Sequence, residues 1–413
     1  MRLSPAKLRG NFLILSWALY DLANQFFALN VVSLYFPRWL TTEKQSPEVF
    51  YSIFFGISMF FVAVSAPVLG TISDIKGRRK TFLVYFTLIS VVFTMALGFS
   101  SNVFLALILF AIANFGCQGA VVFYNALIVK VAPKDKLGFV SGIGRMFGYI
   151  GAIAALYFTK PVILKMGYQA TFRITALFFL VFSLPCMIFM KDESKEKLNL
   201  SYFFDRKVYV QVFQRLKKTL FDNYRLKDFR NFLKAAFFGL CVVNATILFM
   251  SVYVGKVFGL TEAGIIDLVA FSTLFAILAS FLSGIISDRL GYKKSLIGVF
   301  MLWITCLLLG AILKAPFHWL IGALAGASLG STWVISRALV IKIVPKEEIG
   351  EIFGLFNLVG YFSAIAGPLL WGIIIWFSSS LEGFGYRLAC LSSIVFMVIG
   401  IIFLLRIDKG NAT

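Results

Sequence analysis

Histidine is almost missing from this chain, with one in 413 residues, and charge is scarce, at 14% Asp, Glu, Lys and Arg. A soluble domain carries about a quarter charged residues, so this composition excludes a soluble globule. One histidine, His318, with no clustered acids around it in the sequence, leaves neither a metal cage nor a hydrolytic Ser-His-Asp arrangement to build. The five cysteines, Cys117, Cys186, Cys241, Cys306 and Cys390, stand singly inside apolar runs without paired spacing. Disulfide and zinc readings therefore lack support, and the thiols read as packing residues. No Gly-x-x-x-x-Gly-Lys-Ser/Thr loop occurs, which removes the usual sign of ATP hydrolysis. These absences imply no cofactor, no metal and no enzyme.

What the chain has is apolar length: 60% of it is hydrophobic. Runs of about 20 residues, enough to cross a hydrocarbon core, lie near 11–36, 50–73, 81–99, 103–131, 138–164, 170–190, 231–257, 264–287, 293–313, 317–343, 350–378 and 384–406. The fold class expected is an all-α polytopic membrane protein with twelve transmembrane helices. The net charge of +20 suggests nucleic acid at first sight, but the 39 Lys and Arg fall in alternate loops. Eight of them, Arg38, Lys44, Lys160, Lys165, Arg173, Lys256, Lys314 and Arg387, lie on one side. Arg145 and Arg337 lie within helices, which leaves 29 on the other side. By the positive-inside rule that larger set is cytoplasmic, with both termini, in a cell (inner) membrane. The first run is too long for a signal-peptide core and lacks a small-residue cleavage site, so it is expected to be retained. Basic cytoplasmic loops make anionic lipid headgroups partners, and nucleic acid is not one.

Two internal repeats organise the chain. GTISDIKGRRK, Gly70 to Lys80, returns as GIISDRLGYKK, Gly284 to Lys294, and YNALIVKVAPKDKLGFVSG, Tyr124 to Gly142, returns as SRALVIKIVPKEEIGEIFG, Ser336 to Gly354. The offsets are 214 and 212 residues, so the two copies differ by a two-residue indel. The first pattern resembles the signature of the major facilitator superfamily between the second and third helices of each half, Gly-x-x-x-Asp-x-x-Gly-Arg-Arg/Lys-Lys/Arg. Gly70, Asp74, Gly77, Arg78 and Arg79 fit it in full. Asp288, Gly291 and Lys293 keep it in the second copy, where Tyr292 replaces the first Arg and weakens the clamp by one charge. The resemblance implies the major facilitator fold: two six-helix, pseudo-symmetric halves, residues 1–190 and 231–413, joined by a basic cytoplasmic linker, 191–230, and acting as a monomer. It also implies gating, with Asp74 facing the N-terminal dipole of helix 11 and Asp288 that of helix 5. A carboxylate so placed gains about 0.3–1 kcal/mol, more when partly buried. In the linker, Phe204, Val208, Val212, Leu216 and Leu220 recur every four residues, with Lys207, Arg215, Lys217 and Lys218 on other faces. That spacing predicts an amphipathic helix on the inner leaflet or a solvated one.

Ionisable groups inside apolar runs read as functional by default. Asp21 stands roughly 15 Å inside the first helix at 1.5 Å per residue, with Asn24, Gln25 and Asn30 beyond it; the alternative is an Asp that fixes packing by hydrogen bonds. Helix 4 carries Asn114, Gln118 and Asn125, helix 5 carries Arg145, helix 10 carries Arg337 and helix 11 carries Asn357. Through the repeat, Arg337 aligns with Asn125 and Arg145 with Asn357, so each half has one Arg and one Asn, exchanged between helices. Arg337 lies near a helix end, and snorkelling to the interface is its competing use. Gly144 and Gly148 form a small-residue face, with no Pro after them to complete the helix 5 motif of drug/proton antiporters, which speaks against that reading. His318, beside Pro316 and Trp319, reads as an anchor at the outer interface.

Three blocks are similar to one branch of the superfamily, the vacuole-effluxer-like transporters, autophagy-related vacuolar amino-acid effluxers and their bacterial relatives. They are Ser16 to Asp21 with Ala23-Asn24; Val122 to Leu127 running into Val140-Ser141-Gly142 and Gly148-Tyr149; and Ser336-Arg337-Ala338 with Ile352 to Leu355. The chain departs from the branch pattern at Leu22, Gln25, Arg145 and Trp333. The resemblance implies a secondary active transporter working by alternating access, in the efflux direction, on a small polar or zwitterionic, amino-acid-like solute. An ammonium would meet Asp21 and a carboxylate Arg337, at similar estimated depths. The alternatives are proton coupling at Asp21 with another small organic or amphipathic solute, and a membrane receptor or scaffold that moves nothing.

Overall fold

The computed structural model describes residues 5–46, 48–133, 135–194, 210, 214, 227–260, 262–378 and 384–408. The linker residues on which the amphipathic helix was expected lie outside them. Apolar side chains on all sides, with every backbone polar group obliged to pair internally in hydrocarbon, leave the helix as the available state. In chain order α1 is Pro5–Phe27, α2 Glu48–Lys76, α3 Arg79–Leu97 and α4 Val103–Val131. One trace, Leu137–Phe189, runs for 53 residues. At 1.5 Å per residue it would extend about 80 Å, more than twice a hydrocarbon core. It is divided at Gly167, whose φ of 79° suits glycine alone, into α5 (137–166) and α6 (168–189). The rest are α7 Lys227–Phe258, α8 Glu262–Leu290, α9 Tyr292–Ile312, α10 His318–Ile343, α11 Ile349–Phe377 and α12 Phe384–Leu405. Among the described residues that makes twelve long helices, and the chain is a multi-pass membrane protein.

The described residues fall into two compact units, one within 1–134, 147–217 and 346–355 and the other within 135–146, 218–345 and 356–413. Each half of the repeat thus lends the first turns of one helix, α5 or α11, to the other unit. In the first unit α1 does not stop at the expected Phe36. It passes through π-helical windings at Ala28–Leu34 and Trp39–Glu43 on either side of one α-turn, Tyr35–Arg38. Pro37 falls there and has no N–H to close an ordinary turn. Asn30, fully buried in the winding, donates to Thr175 Oγ1 at 3.0 Å and accepts from Thr159 Oγ1 at 3.3 Å, so its amide is paired within the unit.

Aromatic packing fixes the first unit's centre. Trp17 and Tyr20 of α1 stack on Tyr124 of α4 at centroid distances of 4.6 and 5.1 Å, and Trp17 Nε1 donates to Tyr124 O at 3.0 Å. Two blocks of sequence about a hundred residues apart, Ser16 to Asp21 and Val122 to Leu127, thereby meet. In the second unit Trp303 of α9 donates Nε1 to Thr332 Oγ1 of α10 at 3.0 Å. Basic side chains satisfy helix ends there: Arg387 donates to Ala311 O at 2.6 Å at the end of α9, and Lys293 to Leu405 O and Ile407 O at the end of α12. His318, placed by the sequence at the outer interface, is buried as the first residue of α10, 6.0 Å from the Phe258 ring and 5.4 Å from that of Trp319.

Candidate functional site

Where α2 gives way to α3, Gly77 reverses the chain with φ 63°, its N–H donating to Asp74 O at 3.1 Å. The turn carries the Asp74 side chain into full burial. Its Oδ1 accepts from Arg79 Nε at 2.8 Å, and its Oδ2 accepts from the backbone N–H of Glu351 in the first turn of α11 at 2.9 Å. Amides in a helix's first turn lack intrahelical acceptors and stand at the positive end of its dipole, so a carboxylate there satisfies both. Arg79, also buried, donates Nη2 to Lys346 O at 2.8 Å and lies 3.7 Å from Glu193. Glycine permits the approach: a Cβ on Gly350 would stand 2.5 Å from Asp74 Oδ1, and one on Gly70 would strike the Gly350 carbonyl.

The second signature repeats the backbone arrangement inside the second unit. Asp288 Oδ1 accepts from Gly138 N–H at 2.7 Å and Oδ2 from Phe139 N–H at 2.8 Å, both in the first turn of α5. A Cβ on Gly138 would stand 2.6 Å from Gly284 O, as the repeat requires of the partners of Gly350 and Gly70. The side chains differ. Tyr292 donates its hydroxyl to Asp288 Oδ1 at 2.7 Å, while Lys293, which aligns with Arg79, turns to the carbonyls at the end of α12. Gly291, at φ 90°, supplies the turn. The lost Arg is therefore not simply one charge fewer, because Tyr292, which aligns with Arg78, makes to its carboxylate the contact that Arg79 makes to Asp74.

Three residues that the sequence did not single out complete the first site. Asp192, after α6, accepts from Lys80 N–H at 2.8 Å, Thr81 N–H at 3.2 Å and the Thr81 hydroxyl, capping α3 from more than a hundred residues away. Glu193 donates its N–H to Gly77 O at 2.9 Å and lies 3.4 Å from Lys130 as well as near Arg79. Glu351 is a second fully buried acid beside Asp74. Asp192 and Glu193 are legible only as charges at the edge of a polar linker, since nothing in local spacing ties them to α3.

The intramembrane candidates separate by unit. In the first, Asp21 is 4% exposed. Its carboxylate packs on Gly148, where a Cβ would stand 3.2 Å from Asp21 Cγ. Asn24, half-buried, accepts from Cys117 Sγ at 2.8 Å, so that thiol does more than fill space. Gln25 and Gln118 are half-buried, and Asn125 is buried one residue from the stacked Tyr124. In the second unit, Arg337 is 7% exposed on α10. Arg145 lies over the Trp333 ring, Cζ 5.5 Å from its centroid, and Asn357 is half-buried on α11. Arg78 precedes α3 as its N-cap.

Two carboxylates are thus seated on helix N-termini, and an acid and a guanidinium lie buried inside spans. Similar proteins are known. A family model described as Major Facilitator Superfamily matches residues 22–266 and again 235–412. The chain is 29% identical over 426 residues to a Bacillus subtilis (strain 168) protein, the uncharacterized MFS-type transporter YxiO, covering 96% of this chain and 95% of that one. It is 25% identical over 360 residues to the multidrug resistance protein MdtG of Rahnella sp. (strain Y9602), covering 82% and 80%. Among solved structures, an MFS transporter, FucP, in the outward conformation superposes with a TM-score of 0.72 at 15% identity, covering 97% of this chain and 98% of that one, which speaks for the fold.

Proposed function

The chain belongs to the Major Facilitator Superfamily and is a membrane transporter of that type; from that premise we propose that it moves a small polar or zwitterionic, amino-acid-like solute by secondary active, alternating-access transport, in the efflux direction. The observation that carries the reading is the burial of Asp21 and Arg337, at 4% and 7% exposure, within membrane spans. Charged groups there are costly and are retained for solutes, ions or one another. An ammonium suits the carboxylate in the first unit and a planar carboxylate suits the guanidinium fork in the second, bonds worth about 1.5–3 kcal/mol each once desolvated. The stretches Ser16 to Asp21, Val122 to Leu127 and Ser336 to Ala338 support placing it near the vacuole-effluxer-like branch. Asp74 and Asp288 are the gating carboxylates in this reading, with residues 1–190 and 231–413 as the alternating halves. The distribution of Lys and Arg supports both termini being cytoplasmic in an inner membrane.

A second reading is a proton-coupled carrier of another small organic or amphipathic solute, favoured by the similarity to MdtG, named as a multidrug resistance protein. Binding and flux in proteoliposomes with an amino-acid panel separate the two. The zwitterion reading expects Asp21→Asn and Arg337→Gln each to lose binding by tenfold or more, about 1.4 kcal/mol. The coupling reading expects Asp21→Asn to keep binding and exchange while losing proton-driven accumulation. Parent-like behaviour of both variants would make the two residues structural.

A further inference from the structure

In the second unit the first turns of α5 and the inner part of α10 form one packed surface. A Cβ on Gly142 would stand 2.5 Å from Ser280 O of α8, and Ser141 Oγ donates to Val334 O at 3.0 Å, pinning α5 beside Trp333. Arg145 follows Ser141 by one turn on the same face and lies over the Trp333 ring, with Cζ 5.5 Å from the centroid. Trp333 and Arg337 are four residues apart and so share a face of α10, where Arg337 is 7% exposed. Two guanidinium groups and an indole therefore occupy neighbouring turns of two helices that are fixed to each other.

One guanidinium answers the α-carboxylate of a neutral amino acid. A second, also placed in a span at a cost, matches a second negative group. Stacking on indole holds a guanidinium in a fixed plane, the orientation that in-plane, two-bond recognition of a carboxylate needs. We infer that Arg145, positioned by Trp333, is a specificity-determining residue and that the substrate is an acidic amino acid, with Arg337 taking its α-carboxylate and Arg145 its side-chain carboxylate. The inference rests on the amino-acid reading above.

Glutamate and glutamine, nearly the same shape and different in charge, test it in counterflow with the full-length protein in proteoliposomes, beside a panel of other amino acids. The parent should show a KM for glutamate about tenfold below that for glutamine. Arg145→Gln should raise the glutamate KM about tenfold and the glutamine KM by a smaller factor, so that the ratio of the two falls while glutamine counterflow above that of empty vesicles certifies a folded carrier. Arg145→Lys, which keeps charge without the fork, should fall between, and Trp333→Leu should raise the glutamate KM by a smaller factor. A parent that carries glutamine as well as glutamate, an Arg145→Gln effect equal on both, or flux of other amino acids without glutamate overturns this inference and leaves the wider reading standing. Absence of flux for every amino acid overturns both.

Discussion

The two signature turns share a backbone plan and differ in how the carboxylate is answered. Asp74 and Asp288 each accept from first-turn amides of a helix brought close by glycine. The first is also neutralised by a buried guanidinium, whereas the second receives a third neutral donor, Tyr292. The difference teaches which part of the motif is geometrical. Glycine, turn and carboxylate are dictated by the close helix crossing and by the orphan amides, so both copies keep them. The countercharge is an addition to that frame, and a phenol or a guanidinium can fill it.

The comparison breaks most visibly at Asp74. Asp74→Asn leaves Arg79 buried beside a neutral amide and should cost about 3–5 kcal/mol, the loss typical of removing one partner from a buried pair. Asp288→Asn removes charge-assisted bonds from neutral donors and should cost about 1.5–3 kcal/mol. Thermal unfolding of the purified protein in detergent measures both, and equal losses would show that the guanidinium contributes nothing beyond the amides. Asp192→Ala strips α3 of its cap and should cost about 0.5–2 kcal/mol; in the second turn it is Lys293 that ties the start of α9 to the end of α12. Tyr292→Phe removes one of the three bonds to the Asp288 carboxylate and leaves its two amides, and should cost about 1.5 kcal/mol, the low end for a hydrogen bond to a charged group; a loss as large as that of Asp74→Asn would put the phenol on a par with the ion pair.

Much of this was legible before any coordinates. Twelve spans follow from hydrophobic length, and the Gly-Asp-Gly repeat marks both carboxylates because the turn needs glycine at fixed positions. Which base meets Asp74 was not legible. Arg78 and Arg79 are adjacent in sequence, and the choice is made by the backbone at Arg78, whose φ of −124° and ψ of 39° begin α3 and send Arg79 back toward the turn. Asp192 escaped because its partners, Lys80 and Thr81, are brought to it only when the end of α6 reaches the start of α3. The winding of α1 escaped too, since stretches of 7 and 5 residues are too short for a π-helical period to be told from an α-helical one. Asp21 and Arg337 stood out as charges in apolar runs, and both are buried, at 4% and 7% exposure.

Counterflow in proteoliposomes tests the account at its centre. Vesicles containing the protein and loaded with an unlabelled amino acid should take up the labelled one by a saturable exchange that outpaces uptake into empty vesicles. Arg337→Gln should lose most of that stimulation. Saturable binding of the amino acid with no exchange across the membrane would contradict transport and return the protein to the reading of a receptor.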